Sequence, residues 1–386
     1  MRKFYTAEAV TEGHPDKLCD QIADAILDVC LKNDENSRVA CEVLATKGNI
    51  IVAGEITSAY EPDVFAVVRK VLSDIGYSSE GIAMDTFVHQ QSPDIAGAVD
   101  TSKERREGVS DNQMDWFQGA GDQGVMIGYA CDETKQLMPM PVVLANRIVR
   151  ELSACRQSSY IQGILSDGKA QVTVEYENGK PVRLDSVVVS CQHTEDKNLK
   201  KLEAEIRKKV LLPALRLLPP DEDTKIFINP SGRFVCGGMD ADTGLTGRKL
   251  MVDSYGSMVP HGGGAFSGKD CSKVDRSAAY MARYIAKNIV AARLASRCQV
   301  SLAYAIGVAQ PVMVQVDTFG TGKVCADDCL ELAIPLVFGL TPKQIVDSLR
   351  LTRPIFRQTA AFGHFGRKEF PWERTDKVEA LHNAVI

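Results

Sequence analysis

Residues 261–270 read HGGGAFSGKD and have the composition of a phosphate-binding loop, called the GK loop below. From Gly263 to Lys269 the spacing is GxxxxGK, in which glycines let backbone N–H groups approach phosphate and the lysine adds positive charge. Asp270 stands where a P-loop has the Ser or Thr that contacts the metal, and no buried strand leads into the segment. We therefore predict phosphate binding by a loop that is not an ordinary P-loop; a flexible glycine hinge is the alternative.

The residues after the GK loop add charge at the start of a helix. Apolar residues at helical spacing predict this helix from Val274 to Leu294. Lys273 and Asp275 flank its first residue, where unpaired backbone N–H groups favour anions. The lysines would gather positive potential, while Asp275 could hold a metal that bridges to the phosphates.

A second basic stretch, GLTGRK at residues 244–249, follows Asp242 and is called the RK loop below. Adjacent Arg248 and Lys249 behind glycines suit a phosphate group. Taken alone, the pair fits a solvated surface better. Together with the GK loop it favours anion binding.

The N-terminal stretch GHPDK, residues 13–17, predicts the start of a helix. Pro15 suits the first helical position, and Asp16 suits the positive N-terminus. Alone, the stretch is a capped helix start. Near a phosphate, His14 would offer a hydrogen bond, Asp16 a magnesium ligand and Lys17 a cation.

The stretch GAGDQG, residues 119–124, matches the dinucleotide pattern GxGxxG. A dinucleotide fingerprint follows a strand and opens a helix, whereas here a polar loop precedes and the strand-like VMIGYA follows. We interpret the stretch as a glycine turn that aims Asp122 at a cation or a polar ligand. A plain tight turn is the alternative.

Two strands, Ser37–Lys47 and Asn49–Thr57, are predicted to form a hairpin with its turn at Gly48–Asn49. That register would place Glu42 opposite Glu55. Like charges directly opposite are destabilising, so a bound cation or a ligand ammonium would offset them. The alternative is a different register in which both acids are solvated.

Elements that mix hairpins with helices predict the fold class. Further helices are expected at 64–75, 142–152 and 195–212, and a hairpin turn at Asn178–Gly179. Three units of this kind indicate an α+β protein whose open sheets are covered by helices. No internal repeat is visible in the sequence.

The composition excludes several classes of protein. The 386 residues are 45% hydrophobic and 25% charged, as in ordinary soluble proteins, and no apolar run reaches the length of a membrane span. A net charge of −5 gives no general attraction to nucleic acid or anionic membranes. Eleven cysteines without a CxxC pair, and an N-terminus without an apolar signal region, indicate a reduced, cytoplasmic protein.

Residues 94–118 lose all periodicity and carry mixed charge, as in TSKERREGVSDNQMDW. Long loops of this kind are often functional. We expect residues 96–118 to form a mobile lid over the site, with few buried contacts between Ser102 and Ser110. We accordingly divide the chain into domains at 1–100, 119–232 and 233–386, with a mobile active-site loop at 101–118.

The three motifs GHPDK, GAGDQG and GGGAFSGKDCSKVDRSAAY together resemble the S-adenosylmethionine synthetases, or methionine adenosyltransferases. The resemblance extends to AAFGHFGRKEFPWE near the end of the chain. It implies three similar α+β domains related by pseudo-threefold symmetry. It also implies a homotetramer, built as a dimer of dimers, with active sites at the dimer interface.

The reaction implied by the resemblance joins L-methionine to ATP by attack of the sulfur on C5′. Tripolyphosphate is released and hydrolysed to phosphate and diphosphate. The resemblance implies two Mg²⁺ per site and an activating K⁺, with no nucleic acid or membrane partner. A thioether sulfur needs no general base, so catalysis should rest on positioning and on stabilising the leaving group.

The matching motifs also imply residue roles. ATP contacts are expected from His14, Asp167, Lys169, Arg233, Phe234, Asp242, Arg248, Lys249, Ala265 and Lys269. Catalytic roles are expected for His14, Lys169, Arg248 and Lys269, and methionine contacts for Glu55, Asp122, Asp242 and Lys273. Asp16 and Asp275 resemble the magnesium ligands, and Glu42 resembles the potassium ligand.

One departure concerns the segment after SPDI. The family usually has a methionine-contacting glutamine there, whereas this chain reads Ala-Gly-Ala-Val at 96–99. Gln113 or Gln118 could supply the amide, or it could be missing.

Two rival functions differ in what they require. A nicotinamide dehydrogenase would need a strand before GxGxxG. A non-catalytic ATP-binding regulator would have no need of the methionine-side residues Glu55, Asp242 and Lys273.

Overall fold

The computed structural model describes residues 2–93, 97, 101–108 and 118–385. The strands of this part of the chain are β1 (Arg2–Val10), β2 (Arg38–Thr46), β3 (Asn49–Thr57), β4 (Ala83–His89), β5 (Gly124–Cys131), β6 (Ile164–Glu177), β7 (Lys180–His193), β8 (Lys225–Ile228), β9 (Gly244–Leu245), β10 (Arg297–Tyr304) and β11 (Met313–Asp317). Its α-helices of four or more residues are α1 (Pro15–Asn33), α2 (Val64–Ile75), α3 (Lys103–Arg106), α4 (Met140–Gln157), α5 (Leu199–Ile206), α6 (Leu250–Asp253), α7 (Val274–Ala291), α8 (Asp327–Val337), α9 (Pro342–Leu349) and α10 (Val378–Ala384).

The described elements form a structural repeat that was not visible in the sequence. The order strand, long helix, hairpin, helix occurs three times, beginning at β1, β5 and β9. In the first two units a further strand, β4 or β8, runs parallel to the second strand of the hairpin. The predicted α+β class is confirmed.

Each unit gives its first strand to the sheet of another unit. Over the described residues, the sheet orders are β1-β6-β7-β8, β11-β10-β5 and β4-β3-β2-β9. Thus β1 pairs with the second hairpin, β5 with the third and β9 with the first, always antiparallel. This cyclic exchange ties the three units together. It accords with the pseudo-threefold relation, which itself stays a prediction.

Local chemistry explains the helix limits. Asp63 caps α2 by accepting a hydrogen bond from Ala66 N, and Gly76 ends the helix with a φ of 96°. The predicted limits of this helix are confirmed. The helix expected from residue 195 begins only at Leu199, because Asn198 provides the N-cap, and it continues through a π-helical turn at Arg207–Leu211.

The predicted turn of the first hairpin is wrong by one residue. Thr46 pairs with Asn49, so the turn is Lys47–Gly48, with Gly48 at a φ of 72°. The glycine therefore takes the second turn position rather than the first. The hairpin turn at Asn178–Gly179 is confirmed, with φ values of 50° and 80° that suit a type I′ turn.

The two helices that carry functional motifs lie deep in the protein. Nearly all residues of α1 up to Leu27, and of α7 up to Val290, are buried. Both helices belong to a large core that spans the sheets β4-β3-β2-β9 and β11-β10-β5, while α4 packs on a second core around β6 and β7. Eight of the eleven cysteines are buried, as expected of small apolar residues.

The predicted lid falls mostly outside the described residues, which omit 94–96, 98–100 and 109–117. The described part, 101–108, corrects the expectation of few buried contacts. Ser102 is fully buried, and Glu104 of α3 accepts hydrogen bonds from the backbone N–H groups of Ala309 and Gln310. This end of the segment is therefore anchored to the third unit.

Candidate active site

The N-terminus of α1 brings the GHPDK motif together with the RK loop. The Asp16 carboxylate is buried, and its Oδ2 lies 2.5 Å from Lys249 Nζ. Its Oδ1 accepts a hydrogen bond from Leu245 N at 3.0 Å and lies 3.6 Å from Arg248 Nη1. Two motifs more than 220 residues apart thus form one charged cluster around Asp16.

His14 completes this cluster. It is the N-cap of α1, and its Nδ1 accepts a hydrogen bond from Asp16 N at 3.2 Å. Burial, helped by the charge of Lys249, lowers the pKa of His14 to about 4. The imidazole is therefore neutral near pH 7, with Nε2–H left as a donor.

Asp16, in contrast to the neutral His14, is charged. Burial alone would raise the pKa of Asp16, but the hydrogen bonds from Lys249 and Leu245 N outweigh it and leave the pKa below the ordinary value. The carboxylate is therefore ionised at neutral pH. A buried anion flanked by Lys249 and Arg248 can bind a divalent cation while the two basic residues turn to an anionic ligand.

The predicted ATP residues on β6 lie beside this cluster. Asp167 is buried and accepts a hydrogen bond from Gly238 N at 2.7 Å, and burial raises its pKa. Lys169 pairs with Glu8 Oε1 at 3.0 Å and, like Asp242, is close enough to influence the charge state of His14. The structure thus brings Asp167, Lys169 and Asp242 to the surroundings of His14.

Arg233 and Phe234 lie at the end of the same sheet. Phe234 exchanges two hydrogen bonds with His193, and Arg233 pairs with Glu195 at 2.7 Å. The side chain of Gln192 bridges Asp167 N and Val235 O. This bridge connects the Arg233–Phe234 segment to the Asp167 strand.

The GK loop forms a second cluster with the start of α7. Lys269 Nζ lies 2.6 Å from Asp275 Oδ2. A Cβ atom on Gly264 would lie 2.2 Å from Asp275 Oδ1, so only glycine allows the loop to pass this carboxylate. The pairing of a loop lysine with an acid repeats the arrangement of Lys249 and Asp16.

Asp270 explains why the loop is not a P-loop. Its buried carboxylate pairs with Lys273 and accepts hydrogen bonds from Val39 N at 2.7 Å and Ser272 N at 2.9 Å. Burial opposes ionisation, but the charges of Lys273 and Arg38 outweigh it and lower the pKa of Asp270. Asp270 therefore fastens the loop to β2 and holds Lys273 at the start of α7.

A cavity of about 320 Å³ lies between the first hairpin and the GK loop. Its lining includes Glu42, Glu55, Ala265 and Lys269. The predicted opposition of the two glutamates is wrong, because Glu42 pairs with Ala53 and Ala40 pairs with Glu55. The one-residue shift of the turn moves the register by two, so both acids stay on one face as diagonal neighbours. Glu55 also lies 3.3 Å from His89 Nε2.

The GAGDQG stretch is a close-packed turn that leads into β5, as the sequence predicts. Gly121 N donates to Ser272 O at 3.2 Å, and a Cβ on Gly119 would lie 2.6 Å from the backbone of Gly307. Asp122 is exposed, and its Oδ1 accepts a hydrogen bond from Gln123 N. The glycines thus allow the turn to pack on the segment that precedes α7 and on the segment that follows β10.

Sequence reasoning assigned no role in the site to Asp20 or Asp24 of α1. Both are fully buried and accept hydrogen bonds from the two basic loops, at Gly247 N and Gly268 N. The available signal was the four-residue spacing of aspartates in a helix that is otherwise largely apolar.

In the described part of the chain, no single helix is long and apolar enough to cross a membrane. Two short helices, α8 and α9, reach that length and composition only as a pair bent by 75°.

Comparison with known protein families matches almost the whole chain. Residues 2–101 match the N-terminal domain of S-adenosylmethionine synthetase, residues 117–234 its central domain and residues 236–374 its C-terminal domain. The three domains occur in the family's order and together contain all the clusters described above. The chain therefore belongs to the S-adenosylmethionine synthetases, the methionine adenosyltransferases (EC 2.5.1.6) that make S-adenosylmethionine from ATP and L-methionine.

Proposed function

We propose that the Asp16 cluster and the GK-loop cluster bind one ATP triphosphate from two sides. The observation that carries this proposal is the repeated pairing of a loop lysine with an acid, Lys249 with Asp16 and Lys269 with Asp275. When magnesium triphosphate binds, each acid can exchange its lysine for a metal ion and each lysine can turn to phosphate. Charge stays balanced throughout the exchange.

The chemistry requires stabilisation of a leaving group. The methionine sulfur attacks C5′ of ATP as a neutral nucleophile, and negative charge gathers on the departing tripolyphosphate. Lys269, Arg248 and Lys169 supply positive charge at fixed positions, and His14 Nε2–H supplies a neutral hydrogen-bond donor. The same cations would hold the tripolyphosphate for its hydrolysis to phosphate and diphosphate.

The remaining predicted contacts divide between the two substrates. We assign the ring of Phe234, with Arg233, to adenine, and Asp167, Lys249 and Ala265 to further contacts with ATP. The methionine side comprises Glu55, Asp122, Asp242 and Lys273. Glu55 supports this assignment because it lines the cavity beside the GK loop.

The donor set fits hard cations. In the described residues, no group of three or more His, Cys, Asp or Glu side chains could hold a metal without other ligands. Single carboxylates such as Asp16 and Asp275 suit Mg²⁺, which usually takes one or two carboxylates and completes its shell with phosphate and water. Bound Mg²⁺ would neutralise charge on the triphosphate. Glu42 is the proposed K⁺ ligand.

The assembly is also a proposal. We propose a cytoplasmic homotetramer, a dimer of dimers, in which Asp16 of one subunit and Asp275 of another serve the same site. The domain limits 1–100, 119–232 and 233–386, with the lid at 101–118, belong to this proposal. The cyclic strand exchange supports a division into three equivalent units.

Release of phosphate and diphosphate from ATP tests the proposed function. We expect the purified protein to release both products and to form S-adenosylmethionine only when methionine and Mg²⁺ are present. ATP binding without methionine-dependent release would instead indicate the regulatory alternative, which the family match does not favour.

A further inference from the structure

One face of α1 carries four aspartates at four-residue intervals, Asp16, Asp20, Asp24 and Asp28. Each accepts a hydrogen bond from a backbone N–H group far away in the sequence. The donors are Leu245 for Asp16 (3.0 Å), Gly247 for Asp20 (2.9 Å), Gly268 for Asp24 (2.9 Å), and Phe356 and Arg357 for Asp28 (2.9 Å each). A single helix therefore fixes the positions of the RK loop, the GK loop and a C-terminal segment along its length.

Asp20 holds the residue immediately before the RK pair. Its Oδ1 accepts from Gly247 N, while its Oδ2 accepts from Lys17 Nζ at 2.9 Å. Lys17 is fully buried and also pairs with Asp253. Because Lys17 balances its charge, the Asp20 carboxylate can remain buried and still hold the loop.

Asp24 holds the residue immediately before Lys269. Its Oδ1 accepts from Gly268 N, and both oxygens accept from the buried Arg276 guanidinium at 2.6 and 2.8 Å. Arg276 also donates to Lys269 O at 3.1 Å. The backbone of the GK loop is thus fixed on both sides of Lys269.

Gly268 shows how closely the loop is held. Its φ of 81° favours glycine, and its carbonyl accepts a hydrogen bond from Cys41 N at 2.8 Å. A Cβ atom at this position would lie 1.9 Å from Cys41 O. The loop therefore has little freedom to shift between α1 and β2.

We infer that Asp20 and Asp24 are positioning residues for the reaction: Asp20 fixes the backbone that carries Arg248 and Lys249, and Asp24 fixes the backbone that carries Lys269. Neither carboxylate needs to touch a substrate, because each acts through the backbone of a loop. This inference rests on the proposed function of Arg248, Lys249 and Lys269 as triphosphate contacts. A misplacement of about 1 Å at such groups can lower a rate by about 100-fold.

The test compares three isosteric variants on the same helix face, Asp20→Asn, Asp24→Asn and Asp28→Asn. Asp28→Asn is the matched control, because Asp28 binds backbone N–H groups of a segment outside the two loops. For Asp20→Asn and Asp24→Asn we expect kcat to fall by about 10- to 100-fold, and tripolyphosphate to bind more weakly by a similar factor. The KM for methionine should stay within about threefold of wild type, and kcat of Asp28→Asn within about threefold as well.

Two results would overturn the inference. One is a wild-type kcat in folded Asp20→Asn and Asp24→Asn. The other is an equal loss of kcat in all three variants at equal loss of stability, which would make the aspartates purely structural. Binding of tripolyphosphate, measured by calorimetry, separates this inference from the proposed function. If the wild type made no S-adenosylmethionine but bound tripolyphosphate, and the two variants bound it weakly, the proposed function would fail and the positioning role would stand.

Hydrogen–deuterium exchange on the wild type covers the case in which the variants do not fold. The N–H groups of Gly247 and Gly268 should be protected without ligand to the level of amides within α1. Exchange as fast as in an unstructured loop would show that the aspartates do not fix the loops, and would contradict the inference.

Discussion

The RK loop and the GK loop neutralise an acid in the same way but at different depths. Asp16 is 3% exposed and faces Lys249 at 18% exposure, with Arg248 as a second cation. Asp275 is 13% exposed and pairs with Lys269 at 27%, beside a cavity of about 320 Å³. The first pair is therefore the more deeply buried of the two, and the second is the more open to an incoming ligand.

This difference in depth indicates that the two pairs contribute differently to stability and to catalysis. A deep pair costs much to break, because its buried acid would lose its balancing charge. A more exposed pair can separate at little cost to folding. We therefore expect changes in the RK cluster to affect stability and turnover together, and changes in the GK cluster to affect turnover alone.

The largest effect should come from Lys269→Ala. Under the proposed function its charge meets the leaving tripolyphosphate, so kcat should fall by about 100- to 1,000-fold while the KM for methionine changes little. Steady-state kinetics at saturating ATP measure both quantities. A normal kcat with only a raised methionine KM would show that Lys269 contacts methionine and not the triphosphate.

The next largest effect concerns magnesium. If Asp275 is a magnesium ligand as proposed, Asp275→Asn should raise the Mg²⁺ concentration for half-maximal activity by about tenfold or more, because the variant loses an anionic ligand. Activity is measured against Mg²⁺ at fixed, saturating substrates. Asp347→Asn is the control, since it breaks only the exposed pair with Lys343. An unchanged magnesium requirement in Asp275→Asn would remove it from the metal site.

Comparing Lys249→Ala with Lys269→Ala sharpens the contrast in stability. The first variant should lower the free energy of unfolding by about 2 to 3 kcal/mol, because Asp16 stays buried without its closest cation. The second should lower it by less than about 1 kcal/mol. Denaturant unfolding of both, with Lys343→Ala as an exposed control, gives the values. Equal losses would contradict the difference in depth.

The sequence alone predicted the motifs, the α+β class and most helices and strands to within a few residues. It could not pair Asp16 with Lys249, because 232 residues separate them and no local pattern encodes their contact. The strand exchange was hidden for the same reason, since β1, β5 and β9 pair outside their own units. The predicted hairpin register is wrong because of one local choice: the turn is Lys47–Gly48 and not Gly48–Asn49.

The smallest effect is a pH dependence of protein stability caused by Asp28. This residue lies on the part of the α1 face that is away from both loops. Burial raises the pKa of Asp28 to about 6, above the value near 3.9 of an unfolded chain. Protonated Asp28 therefore stabilises the folded protein fully below pH 4, and this contribution is lost as pH rises to 6. Between pH 4 and pH 6 the wild type should lose about 2 kcal/mol of stability relative to Asp28→Asn.

Urea unfolding of both proteins at pH 4, 5, 6 and 7 checks this pH dependence. The stability difference between the two proteins should level off above pH 6. A difference that stays constant from pH 4 to 7 would mean that Asp28 is already ionised in the folded protein at pH 4.

Subunit complementation tests most directly the claim that the two clusters meet across an interface. Asp16→Asn and Lys269→Ala, each nearly inactive alone, are mixed by co-expression. If one subunit supplies Asp16 and the other Lys269, each mixed dimer has one site with both defects and one intact site. Random pairing of the two chains makes half the dimers mixed, so about a quarter of wild-type activity should return. Activity that stays at the level of the separate variants, in dimers shown to be mixed, would contradict the shared site.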